Sequence, residues 1–319
     1  MVLFQLAVIA IGFLFLTKSS EEAIKRLVRL ARHFEVTEFA ISFLVVGIVA
    51  IFPELSIGIN SALAGESSFG LGIVLGSNVA DLTLIVGVIA LTAGGIKLHK
   101  QTLANMKYFL IPLALPMALL WDGRLSQFDG FILIMAFAAY VAIFLSQRPA
   151  HPAKEKKARN WRYILKEVAV LAVSLVILLG SGKIITDASH ELSLALSLPL
   201  MFIGMVLAIG TCLPELSVAF RASQQNHGEL GLGNIFGNVL ADCMLTLGVI
   251  AVISPIKPQY PLLAITSGVA SILAVLLILW LLSRKGEKNT LSQKDGIILV
   301  AFYASYLGVQ TILENALVG

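Results

Sequence analysis

Residues 47–87 read GIVAIFPELSIGINSALAGESSFGLGIVLGSNVADLTLIVG, and residues 208–248 read AIGTCLPELSVAFRASQQNHGELGLGNIFGNVLADCMLTLG. Laid over one another at an offset of 161, the two stretches keep register without a gap. Pro53 meets Pro214, Glu54 meets Glu215, Gly76 meets Gly237, Asp81 meets Asp242 and Gly87 meets Gly248. A shared PELS core followed by a shared G-x-x-x-A-D core marks an internal duplication, and the fold has to be read around it.

The chain that carries the duplication has 319 residues, 58% of them apolar and only 13% charged. Its mean hydropathy is +0.91. Soluble domains carry about a quarter charged residues, so this chain cannot cover a soluble surface and requires lipid. Solid apolar runs rather than alternating polarity exclude a β-barrel and point to helices. Breaks in those runs divide the chain into ten expected spans: 2–17, 37–63, 70–92, 106–121, 129–147, 163–182, 198–220, 230–253, 261–283 and 296–316. Basic residues do not precede the first span, so it reads as retained rather than as a cleaved signal. The segment 21–34 has helical apolar spacing with a basic face, which suits an interfacial helix or a simple connector. Cys212 and Cys243 fit no metal or redox spacing and read as small buried fillers. Trp121 and Trp280, near span ends, read as interfacial anchors.

Connections alternate in charge. With the N-terminus outside, the inner connections and their flanks collect 20 of the 23 Lys and Arg, leaving Arg124, Lys183 and Lys257 outside. The positive-inside rule therefore places both termini outside the cell membrane. The polar stretch 146–160, rich in Pro, Ala and Lys, falls between the fifth and sixth spans and reads as a linker. The expected organisation is an all-α membrane protein of ten helices: a first five-helix repeat over 1–147, a cytoplasmic linker at 148–161 and a second five-helix repeat over 162–319. An odd number of spans per half makes each half start on the opposite side of the membrane. Such inverted repeats build secondary transporters that hold cargo at the repeat interface.

Of 19 acidic residues, Glu54, Asp81, Glu215 and Asp242 are the ones expected deep within spans, and all four lie in the repeat. A carboxylate in lipid costs several kcal/mol unless it is paired. Lys, Arg and His fall in or near the connections, so the missing counter-charge is a bound cation or a proton. Prolines 53 and 214 release carbonyl oxygens from the helical ladder. With hydroxyl and amide oxygens from Ser77, Thr211 and Asn238, these make an all-oxygen environment suited to hard cations. Asn78 reads as a hydrogen bond between helices. Four acids at symmetric places argue against protonated carboxyls that merely tie helices together.

At these residues the sequence resembles the sodium/calcium exchanger family, through the PEL and G-[SN]-x-x-x-D signatures, the ten spans and the central linker. The resemblance implies that Glu54 and Glu215 bind Ca²⁺. It implies that the carbonyls of Gly47, Ala50, Ala208 and Thr211 contact ions, and that Ser77, Asp81, Asn238 and Asp242 complete Na⁺ sites. It also implies alternating access by sliding of the first and sixth spans. Departures accompany it: repeat 2 keeps GTCLPE, but repeat 1 reads VAIFPE, with Ala50 and Ile51 where the family has hydroxyls. Asp81 stands where asparagine is common, Asn238 where serine is common, and Cys212 replaces a usual serine.

Four ionised carboxylates leave a net charge of −2 with one Ca²⁺ and −1 with three Na⁺. That residue of charge is expensive in a low-dielectric site, so Asp81 or Asp242 is expected to carry a proton when Ca²⁺ is bound. The reading is an antiporter exchanging Ca²⁺ for Na⁺, with an H⁺-coupled divalent cation (Ca²⁺ or Mg²⁺) antiporter of the same fold as the alternative. A channel would use symmetric subunits around a filter, and here the pseudo-symmetry lies within one chain, so a monomer is expected. An intramembrane enzyme would need a nucleophile beside a base, and the acids have no His at depth. Inorganic cations and the lipid bilayer are the expected partners, with no nucleic acid and no catalytic cofactor.

Overall fold

The computed structural model describes residues 1–33, 50–92, 95–97, 109–146, 161–224, 228–284 and 290–318. Helices dominate. The first half contains α1 (Val2–His33), α2 (Phe52–Leu63), α3 (Ser67–Ala80), α4 (Val86–Thr92), α5 (Leu110–Leu119) and α6 (Gln127–Ser146). The second contains α7 (Trp161–Leu196), α8 (Leu200–Thr211), α9 (Leu213–Gln224), α10 (Gly228–Ala241), α11 (Leu247–Ile253), α12 (Pro261–Ser283) and α13 (Gln293–Val318). A π-helical turn, Asp81–Ile85, joins α3 to α4, and another, Asp242–Thr246, joins α10 to α11. Two short strands, β1 (Ile96–Lys97) and β2 (Thr290–Leu291), pair antiparallel and are the exception to an all-helical reading.

Among the described residues, seven segments are long and apolar enough to cross a membrane: Val2–Ala31, Ser67–Thr92, Trp161–Leu196, Leu200–Ser217, Gly231–Ile253, Pro261–Ser283 and Gln293–Leu317. Two sequence expectations change. The first helix does not end at residue 17; α1 runs unbroken to His33, so 21–34 is neither a separate interfacial helix nor a loop over its described part. Likewise the sixth does not end at 182, because α7 continues to Leu196. At 1.5 Å per residue these helices are about 48 and 54 Å long, well beyond a hydrocarbon core of about 30 Å. Both carry their charges past the lipid on helical turns, where Lys, Arg and Glu are good helix formers. His33 and His190 thus sit on helices rather than in loops.

α1 and α7 pack against one another along their length, antiparallel: Gly12 abuts Ile185, and farther along His33 stacks on Tyr163 with ring centroids 5.2 Å apart. α2 returns as α3 through the turn at 64–66, where Gly65 takes φ +79°. α3 then lies alongside α8. Gly72 faces Met201, while Gly76 faces Met205 and Ala208, so these two helices run in the same direction. A Cβ on Gly76 would come 2.8 Å from the Met205 carbonyl oxygen, closer than side chains approach backbone, which is why glycine stands there.

The halves also interlock reciprocally. β1 after α4 pairs with β2 before α13, and Ile256 after α11 forms a bridge with Leu125 before α6. Behind both bridges stands the same motif, LSQFDG at 125–130 and LSQKDG at 291–296. Ser126 caps α6 by a reciprocal hydrogen-bond pair with Asp129, and Asp295 accepts both the amide and the hydroxyl of Ser292 at the start of α13. Gln127 donates to the Val252 carbonyl and Gln293 to the Leu91 carbonyl, each at 2.9 Å. Gly130 meets Gly248, and Gly296 meets Gly87. The duplication therefore extends to the last helix of each half.

Candidate cation site

The two PELS segments sit at helix breaks. α2 starts after Ile51, whose ψ of 0° is not helical, and Pro53 stands in its first turn. α8 ends at Thr211, and α9 restarts at Leu213, with Pro214 next. Proline has no N–H, so Gly210 receives no helical hydrogen bond from residue 214. Glu54 and Glu215 each follow such a proline by one residue, in the first turn of the restarted helix. Facing them are the π-turns that begin at Asp81 and Asp242. A π-turn inserts an extra residue into the helical ladder and is characteristic of functional positions.

The structure brings the four acids into one interior region. Glu54, Asp81 and Asp242 are fully buried and Glu215 is 3% exposed. Glu215 lies within electrostatic reach of the other three. Contacts between the halves are reciprocal: Asn238 donates to Asp81 Oδ2 at 3.0 Å, and Ser77, which occupies the equivalent place in the other repeat, faces Asp242 Oδ2 at 3.4 Å. Each aspartate is thus met by a polar side chain of the opposite repeat.

The hydrogen bonding is incomplete in a patterned way. Both carboxylate oxygens of Glu54 lack a partner, as do Glu215 Oε2, Asp81 Oδ1, Asn78 Oδ1 and Asn238 Oδ1. All of these are acceptors. Buried unpaired acceptors normally cost several kcal/mol each, and six of them fall in this one region. Among the described residues none of the four acids has an ion-pair partner. No three His, Cys, Asp or Glu of the described residues stand close enough to enclose a metal ion by themselves. Neutral oxygens are therefore needed alongside the carboxylates.

Ser77, Asn238 and Thr211 supply such oxygens and all are fully buried. Ala50 is buried beside the first break. Ala208 is buried too, but its carbonyl already accepts from Thr211 Oγ1 at 2.8 Å, Cys212 N at 3.4 Å and Cys212 Sγ at 3.3 Å. Gly47 lies outside the described residues. The two cysteines are buried and unpaired, and Asn78 donates to Cys243 Sγ at 3.2 Å, a hydrogen bond between helices.

One participant was missed in the sequence: Thr246 donates to Asp242 Oδ1 at 2.9 Å. It lies one turn after Asp242 and its counterpart in repeat 1 is Ile85, so the duplication offered no second copy to flag it.

The sequence matches a known family. The model of the sodium/calcium exchanger protein family covers residues 4–146 and 166–312. The chain belongs to that family. It is a multi-pass integral membrane protein of an exchanger rather than an enzyme family. The sodium/calcium exchanger MaX1 of Methanosarcina acetivorans is 25% identical over 354 residues, covering 97% of this chain and 99% of its own length. The inner membrane protein YrbG of Escherichia coli is 27% identical over 260 residues, with 78% and 80% covered. Among solved structures, the sodium-calcium exchanger NCX_Mj soaked with 10 mM Na⁺ and zero Ca²⁺ superposes with a TM-score of 0.66 at 23% identity, covering 97% of this chain and 99% of that one. The predominantly helical membrane fold is shared.

Proposed function

We propose that this family member is a secondary antiporter that exchanges Ca²⁺ for Na⁺ by alternating access. The observation that carries this reading is the set of six unpaired buried acceptors around four carboxylates that lack ion-pair partners among the described residues. Cargo cations supply the missing positive charge. Glu54 and Glu215 hold Ca²⁺. Asp81, Asp242, Ser77, Asn238 and Thr211 complete the cation positions, together with the carbonyls of Gly47, Ala50 and Ala208.

Inverted halves of five spans each, 1–147 and 162–319 with a linker at 148–161, are supported by helix direction. α2 runs opposite to α3, and α3 runs with α8, so the spans bearing Glu54 and Glu215 run in opposite directions. The distribution of Lys and Arg supports both termini outside, and the reciprocal contacts within one chain support a working monomer.

A proton-coupled divalent cation antiporter is the second reading. It is favoured by Asp81, which adds a fourth carboxylate and leaves net negative charge with either cargo. On this account Asp81 or Asp242 carries a proton when Ca²⁺ is bound, and the exchange rate varies between pH 5 and 9; a flat profile would count against the shared proton.

The test uses purified protein in liposomes loaded with Na⁺ and diluted into Na⁺-free buffer with tracer Ca²⁺, beside a set carrying a pH gradient alone. Uptake driven by Na⁺ and lost in Glu54→Ala and Glu215→Ala supports the first reading. Uptake driven only by the pH gradient moves the protein to the second.

A further inference from the structure

The two helix breaks of the site differ in the side chain that stands in them. Ile51 occupies the first and Cys212 the second, two residues before the proline in each case, and both are fully buried. Ile51 packs in an apolar cluster with Phe137, Leu240, Ala241 and Met244. The Cys212 thiol is turned to polar atoms instead. It donates to the Ala208 carbonyl at 3.3 Å and, across on α3, to the Ser77 carbonyl at 3.7 Å. It also stands within hydrogen-bonding reach of the Asp81 carboxylate, and Glu54 and Glu215 lie within electrostatic reach of the same sulfur. Three of the four acids therefore surround it.

Cys243 provides an internal control. Its sulfur accepts from Asn78 at 3.2 Å, and Asp242 is the acid near it. That thiol is occupied between helices, whereas Cys212 faces the middle of the site.

A buried cysteine by itself is a small filler. What sets Cys212 apart is the unpartnered oxygen around it: both oxygens of Glu54, Oδ1 of Asp81 and Oε2 of Glu215, all on buried side chains. Sulfur beside such oxygens makes a mixed ligand set. Carboxylate and carbonyl oxygens suit Ca²⁺ and Mg²⁺, while thiolate selects softer divalent cations. The spacing fits as well. Ligands that share one tetrahedral metal, about 2.3 Å from sulfur and about 2.0–2.2 Å from oxygen, stand about 3.5 Å apart. The two carbonyl oxygens lie 3.3 and 3.7 Å from Cys212 Sγ, so a metal can take the place of the thiol hydrogen.

We infer that Cys212 is a specificity-determining residue of the cation site, the soft ligand through which the Asp81 side binds a thiophilic divalent cation of the Cd²⁺ or Zn²⁺ kind more tightly than Ca²⁺. Asp81 and the carbonyls of Ala208 and Ser77 complete the ligand set. On binding, a metal–sulfur bond replaces the S–H bond, and the proton leaves to water. The inference rests on the exchange reading above for the route by which the cation enters. It narrows the cargo class of that site and makes the two repeats chemically unequal, since Ile51 offers no ligand where Cys212 does.

The test uses Cd²⁺ alone as the probe. Titrated into the purified protein, it produces ultraviolet cadmium–thiolate charge-transfer absorption. The chain has two cysteines, so the source of that band can be assigned: it is absent in Cys212→Ser and Cys212→Ala and present in Cys243→Ser. Asp81→Asn keeps the band but shifts it to higher Cd²⁺ concentration. In the liposome assay Cd²⁺ competes with tracer Ca²⁺. Cys212→Ser, which exchanges a soft ligand for a hard one, lowers the affinity for Cd²⁺ relative to Ca²⁺ roughly tenfold, and Cys243→Ser leaves that ratio in place. No band in the wild type, a band that follows Cys243, or a ratio unmoved by Cys212→Ser overturns the assignment and leaves Cys212 a filler. The two readings fail separately. A band lost in Cys212→Ser from a protein without cation-driven Ca²⁺ uptake keeps the metal ligand and brings down the exchange reading; Ca²⁺ uptake without a band removes Cys212 alone.

Discussion

Buried carboxylates occur in two kinds of place in this molecule, and they are treated in opposite ways. At two helix ends, at Glu167 and Asp295, the chain supplies the counter-charge. Glu167 on α7 is 3% exposed, and both its oxygens accept from Arg26 on α1, at 3.1 and 3.3 Å, with Arg29 at 3.6 Å. Asp295 at the start of α13 is fully buried and paired with Arg284. In the middle, Glu54, Asp81, Glu215 and Asp242 are equally buried and have no such partner among the described residues. At Glu167 and Asp295 the charge is permanent structure, and an arginine is built in. In the proposed exchange, the bare acids take a partner that comes and goes.

The largest expected effect is therefore a crossing of stability and activity. Glu54→Gln or Glu215→Gln reduces cation-driven uptake to background. The same changes leave the melting temperature in cation-free buffer unchanged or higher, since a buried carboxylate without a partner is costly. Adding Ca²⁺ then stabilises the wild type but not the variants. Uptake in liposomes and thermal unfolding in detergent read the two halves of this prediction. A Glu54→Gln protein destabilised in cation-free buffer would place the middle acids with the structural ones.

Glu167→Ala is the opposite case. It takes from Arg26, whose side chain is only 17% exposed, one of its two carboxylates, removes the Arg29 contact as well, and parts α1 from α7 at one end. Removing one member of a buried ion pair costs about 3–5 kcal/mol, and the contact that Arg26 keeps with Glu22 places the expected loss near the lower figure. Denaturation of the purified protein measures it. Replacing Arg26 and Glu167 together by Leu and Met restores most of the stability, because two apolar side chains leave no bare charge. If the double variant is no better than Glu167→Ala, the pair acts through something other than charge.

This contrast explains what was legible in the sequence. The middle acids stand out because lipid-length apolar runs surround them and the duplication doubles each signal. The end acids are indistinguishable in sequence from solvated helix-end charges, and only the extension of α1 to His33 and α7 to Leu196 brings Arg26 to Glu167 across 141 positions. Helix ends in such segments are set by packing between partners, which local polarity does not encode. The LSQ[FK]DG repeat was readable but lies beyond the two motif blocks and carries no intramembrane acid. Thr246 was hidden for a different reason: it breaks the internal symmetry, with Ile85 in the equivalent place, so comparing the halves as sequences discards it. Symmetry reveals what two halves share and conceals how they differ.

The smallest effect separates capping from pairing at the ends themselves. Asp129 and Asp295 make the same bonds to Ser126 and Ser292, at 2.6–2.8 Å from hydroxyl and amide, and Asp295 alone of the two adds Arg284 among the ion pairs of the described residues. Asp129→Asn weakens a cap of the kind worth about 1 kcal/mol. Asp295→Asn weakens the same cap and also leaves Arg284 without its carboxylate. That arginine is 35% exposed and stacks 5.0 Å over Trp280, so water and the indole ring take up part of its charge. The excess of the second variant over the first is accordingly expected to be below about 1 kcal/mol in thermal unfolding, and to shrink in high salt. An excess as large as that of Glu167→Ala would mean that the depth of the carboxylate, rather than the exposure of its arginine, sets the cost, and the same reasoning would then have to hold for the four bare acids in the middle.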